Sequence, residues 1–172
     1  MDLIKIKLVK LPFIILLFST SVLAGYGEAE TWSGGDLRGV NHTKQQIYRF
    51  SVNGNGGSLN GNTCCISLPN QWCPGLKADV EWEVSTNSSR VTFPGYKDRV
   101  KYKAWEKKIL EGLVKHRTTV DIPDYGDKKC GLTVHFLSCN RIKVTASCWA
   151  LSRPEYPIKE PYDMEEPAIC PE

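Results

Sequence analysis

Apolar and polar residues alternate with a period of two through most of this chain, the pattern of strands that bury one face. The clearest run is Lys77–Val84, where Ala78, Val80, Trp82 and Val84 face one way and Lys77, Asp79, Glu81 and Glu83 the other. One side reads as core and the other as water, as in an antiparallel sheet. Glu81 and Glu83 are therefore read as a solvated strand face, not as an acid–base pair. Ile47–Val52 repeats the pattern with Tyr48, Phe50 and Val52 on one face, and Leu37–Asn41 supplies a first strand. In Thr63–Leu68, Cys64, Ile66 and Leu68 point to one side and Cys65 to the other. Thr118–Ile122 alternates again and stops at Pro123, and Gly131–Leu137 with Arg141–Trp149 make a hairpin around Ser138-Cys139-Asn140. The period changes only between Lys97 and Lys115. There Tyr102, Trp105, Ile109 and Leu113 suit one helix over about 99–113 with a basic, solvated face. The pattern predicts a mainly β fold, a small antiparallel sheet or sandwich of about six to seven strands with one helix.

Between the strands lie two punctuated stretches. Asn53–Asn62 is rich in residues that tolerate positive φ, so it reads as a loop. A phosphate cradle would end in Gly-Lys-Ser/Thr, whereas this loop ends Gly61-Asn62-Thr63. Pro69 and Pro74-Gly75 bracket a turn that carries Trp72 and Cys73.

The ends of the chain differ from its middle. Residues 1–24 have a basic start at Lys5, Lys7 and Lys10, an apolar run Leu11–Phe18, and Val22-Leu23-Ala24 at a leader-peptidase position. This predicts a signal peptide cleaved after Ala24 and a periplasmic location, because the apolar run is too short to span a membrane. Tyr26 stands where a lipoprotein would carry cysteine, so no lipid anchor is expected. Residues 25–36 are small and polar and read as a flexible leader, 37–151 as a single β-rich domain, and 152–172 as a Pro-rich acidic tail, extended or disordered, with Cys170 available to tether it.

Charge narrows the partners. The chain carries +3, and loss of three lysines and one aspartate with the leader leaves +1. A nearly neutral domain gives no electrostatic reason to expect nucleic acid or an anionic membrane. Seven cysteines in an exported chain predict disulfides with at least one thiol left over. With a three-residue connection in the last hairpin, Leu137 faces Arg141 and Cys130 faces Cys148, close enough to bridge. Cys64 and Cys65 are not expected to bridge each other, since neighbours on a strand point to opposite faces. His42, His116 and His135 are the only imidazoles, and no nucleophile elbow, His-x₃-His or Cys-x₂-Cys spacing accompanies them. His135 reads as a half-buried sheet residue. No cofactor, no metal and no enzymatic activity are expected.

Several segments together resemble a known family. These are Gly39-Val40-Asn41-His42-Thr43, Cys64-Cys65-Ile66-Ser67-Leu68-Pro69, Trp72-x-Pro74-Gly75-Leu76, Val80-x-Trp82, Val120-x-Ile122-Pro123 and Val134-His135-Phe136-Leu137. In this order they are similar to the bacterial domain-of-unknown-function family 3304, small exported proteins, often lipoproteins, encoded beside type VI secretion effectors of the phospholipase class. Cys73 departs from the basic residue usual there. The resemblance implies an immunity protein that binds a toxin in the periplasm, and it supplies no binding residues. Exposed aromatics and adaptable glycine-rich backbone nominate Trp32, Asn55 and Trp72, in the loops Trp32–Asp36, Asn53–Asn62 and Gln71–Gly75, as partner contacts. The alternatives are an envelope structural or assembly protein and a small hydrolase using His42 or His135.

Overall fold

The computed structural model describes residues 31–59, 61–86 and 92–171, so the expected signal peptide and cleavage site lie outside the described residues. The described residues are mainly β, with eight strands, one α-helix and a 3-10 turn at Ser138–Asn140. β1 (Trp32–Asn41), β4 (Thr63–Pro69), β7 (Leu132–Leu137) and β8 (Arg141–Thr145) form one sheet in the order β4-β1-β7-β8. β2 (Gln46–Val52), β3 (Asn55–Gly56), β5 (Lys77–Ser85) and β6 (Leu113–Asp121) form the other, ordered β3-β2-β5-β6. Pairing is antiparallel except between β1 and β7, which run parallel.

The predicted alternation decides what lies between the sheets. Phe50, Val80 and Trp82 from one meet Ile66, Val134 and Phe136 from the other, with Phe50 edge-on to Phe136 at 5.2 Å between ring centroids. β2 departs from strict alternation because its register against β5 shifts between Ile47 and Arg49. The irregularity turns Tyr48 out to solvent instead of into the core with Phe50 and Val52.

Two segments differ from the sequence reading. Trp32–Asp36 is not a flexible leader but the first half of β1, paired with β4. Its glycines serve contact: a Cβ on Gly35 would lie 2.5 Å from the Gly131 Cα, so only glycine lets the two chains pass. Residues 153–171 carry no helix or strand, yet they form an ordered strap across the outer face of the first sheet. Tyr156 is buried beneath it, Met164 N–H donates to the His42 carbonyl at 2.7 Å, and Cys170 is joined to Cys139. The strap explains why every residue of β7 is buried, including Thr133, His135 and Leu137 on the face away from the other sheet.

The cysteines pair as 64–65, 130–148 and 139–170. Cys130 and Cys148, with Cα atoms 4.9 Å apart, extend the ladder in which Leu137 opposes Arg141. The expectation that Cys64 and Cys65 stay apart is corrected. The register against β1 shifts there, from Gly35 opposite Ile66 to Asp36 opposite Cys64, which leaves Cys65 as an extra residue and breaks the alternation on which that expectation rested; both cysteines are exposed. The helix α1 (Arg99–Glu111) starts at Asp98, whose carboxylate accepts from the Val100 and Lys101 N–H groups at 3.1 Å. Its end is fixed to β5 by Ser85 Oγ, which donates to the Ile109 carbonyl, and by the Thr86 N–H and hydroxyl, which donate to that of Gly112. No helix among the described residues is long and apolar enough to cross a membrane.

Candidate functional site: a charged groove on the second sheet

The outer face of β2, β5 and β6 carries two cross-strand rows. Registry places Ser51, Glu81 and Arg117 side by side, and next to them Arg49, Glu83 and Lys115. Arg117 forks onto the Asp79 carboxylate, with Nε 2.9 Å from Oδ1, and its Nη1 lies 3.5 Å from Glu81. Arg49 Nη2 donates to Glu83 Oε1 at 2.7 Å, and Lys115 Nζ approaches the same oxygen at 3.8 Å. The fork holds the Asp79 carboxyl below its ordinary range, and the hydrogen bond from Arg49 to Glu83 raises the guanidinium above its own.

Glu83 is the residue the sequence misplaces. It does not face water: only 6% of it is exposed. α1 docks at this end of the face, through the fully buried Ile109, and Arg49 and Lys115 flank the carboxylate. Both cations meet Oε1, so Oε2 is buried without a hydrogen-bond partner. A desolvated carboxylate oxygen left without a donor costs roughly 1–3 kcal/mol or more. Glu83 is among the residues that line a groove of about 640 Å³, a size that binding clefts commonly have. Gly54, Gly56 and Gly57 form one wall, so the turn containing Asn55 borders the groove. The cross-strand partners of Glu83 come from segments separated by a helix and a long connection, which no local pattern in the sequence reveals.

The other nominated residues lie elsewhere. Trp32 is half-exposed opposite Pro69 on the β1–β4 pair. Trp72 is half-buried and its indole N–H donates to the Ile122 carbonyl at 2.8 Å, which ties the turn to the end of β6. The turn at Asn55 is held by Asn53, which pairs with Asp79 at the start of β5. Only Asn55 thus neighbours the groove.

His42 and His135 come together under the strap, both buried. The Pro161 carbonyl can only accept, so His42 carries its proton on Nδ1 and donates to it at 3.0 Å. His42 Nε2 then accepts from His135 Nδ1 at 2.8 Å, and His135 Nε2 accepts from the Tyr156 hydroxyl at 2.7 Å. Burial, then the neighbouring His42 and Arg38, push His135 down to about 3. Each ring nitrogen of the pair is engaged. His135 is therefore fully buried, not half-buried, because the strap covers the second face of its sheet. This polar chain joins strap to sheet and presents no base to solvent.

A family model described as a protein of unknown function, DUF3304, matches residues 40–144. The match takes in every residue of the two rows, whereas the strap lies beyond it. No curated protein and no solved structure matches the chain.

Proposed function

Because the chain belongs to the DUF3304 family of proteins of unknown function, we propose that it is a non-enzymatic binding protein. In this reading it is exported to the periplasm and neutralises an antibacterial effector of the type VI phospholipase class. The observation that carries the binding role is Glu83, a buried carboxylate with one unpartnered oxygen in the wall of a groove. An acceptor held in that state is completed by a donor brought from outside. Lys115, 81% exposed along its side chain and 3.8 Å from the carboxylate, is the movable rim that admits it. The paired charges of Asp79, Glu81, Arg49 and Arg117 then fix the register of the partner. The family resemblance supplies the effector as that partner.

The test is genetic. Deleting the gene should make a cell sensitive to an effector encoded beside it and delivered to the periplasm. The wild-type gene should restore growth, and Glu83→Ala should restore it less well at equal protein level. A deletion strain that tolerates every adjacent effector refutes the immunity role and leaves an envelope-assembly role in its place.

A further inference from the structure

Near-neutral net charge hides an uneven distribution. Between Lys97 and Lys108 the chain holds six basic residues, Lys97, Arg99, Lys101, Lys103, Lys107 and Lys108, against Asp98 and Glu106. All six basic side chains are exposed. Lys101 pairs with Asp98 and Lys107 with Glu111, while Lys97, Arg99 and Lys103 make no ion pair among the described residues.

The same tip exposes apolar surface. Phe93, Tyr96, Tyr102 and Trp105 form one aromatic cluster, with Phe93 5.0 Å from Tyr96 and 5.1 Å from Trp105, and Tyr96 5.6 Å from Tyr102. Trp105 and Tyr102 are partly buried, but Tyr96 is 77% and Val100 79% exposed. The cluster therefore has a packed base and an outer rim of Tyr96 and the half-exposed Phe93, while Val100 lies on the other side of the helix from Tyr102 and Trp105. Large aromatic side chains left facing water serve no core.

We propose that this tip, Phe93 to Lys103, docks on an anionic lipid surface. Tyr96 and Phe93 enter the headgroup region, and Lys97, Arg99 and Lys103 meet the phosphates around them. Amphipathic rings prefer the membrane interface, and each basic residue near an anionic surface adds about 1 kcal/mol, about fivefold in partition. The exposed apolar rim favours lipid over an acidic protein surface. The groove around Glu83 takes no part.

Sedimentation of the purified chain with vesicles tests this. Vesicles of phosphatidylethanolamine with phosphatidylglycerol should bring it down at low salt, and vesicles of phosphatidylcholine alone should not. Lys97→Glu with Lys103→Glu should lower partition at least about tenfold, and Tyr96→Ser should lower it too. Lys97, Lys103 and Tyr96 are exposed, so folding should be unaffected. Lys128→Glu, exposed and remote in sequence, should bind as the wild type does. Equal binding to both vesicle types, equal loss in the Lys128 variant, or no sedimentation at all would overturn the proposal. Capture by an immobilised acidic protein with no vesicle binding would overturn it too and give the tip to a protein partner.

Discussion

At the scale of single residues, His135 is the group most sensitive to its surroundings. The Tyr156 hydroxyl and His42 occupy its two nitrogens, with Arg38, Lys143 and Glu160 the charges around it. Its folded form is held neutral, at about 3, whereas an unfolded histidine titrates near ~6.5. The contribution is therefore complete above the unfolded value and shrinks as pH falls from there towards the folded one. The loss grows by about 1.4 kcal/mol per pH unit, on the order of 5 kcal/mol in all. Urea midpoints measured between neutral pH and pH 3 should fall in the wild type, and less steeply in His135→Leu. Parallel lines for the two proteins would remove the histidine from the account of acid sensitivity.

At the scale of elements, the strap is where sequence and structure part most. Its composition, five prolines and six acidic against two basic residues in 153–172, speaks for an extended chain. It does not reveal that Tyr156 fills a buried position or that Glu160 reaches Lys143. Those contacts are long-range, and a tail without periodicity gives no local sign of them. The Cys139–Cys170 link closes a span of 31 residues. In the chain-entropy view such a link is worth roughly 3–4 kcal/mol. Replacing Cys139 and Cys170 by serine should therefore raise hydrogen exchange at Met164, whose N–H donates to the His42 carbonyl, and at Lys44, whose N–H donates to the Met164 carbonyl, while Val80 and Trp82 keep their protection. Unchanged exchange at Met164 would mean that the buried Tyr156 and its hydrogen bonds hold the strap unaided. By contrast, the strands of Lys77–Val84 and the last hairpin were legible, since strict alternation and a three-residue connection leave one register. So was α1, where Tyr102, Trp105 and Ile109 recur at helical spacing. β1 was half-legible: its Gly34-Gly35 looks like a linker until Gly131 is seen against it.

At the scale of the molecule, two sheets, a helix and a strap produce two unlike surfaces. One is the groove with Glu83, the other the aromatic and basic tip before and along α1. The sequence offered Glu83 only as one of four alternate polar positions on β5. Its ion partners Arg49 and Lys115 arrive from two other strands. Nor did Trp32 and Trp72, chosen as aromatics in loops, fall beside the groove; Trp72 turned out to fasten a turn. The most direct test of the groove is calorimetric titration of the purified chain with the effector encoded beside its gene. The account predicts saturable binding that Glu83→Ala weakens by about 30-fold, the size of a central contact worth ~2 kcal/mol, while Lys128→Ala leaves it unchanged. Identical affinities for wild type and the Glu83 variant, both folded, would contradict it.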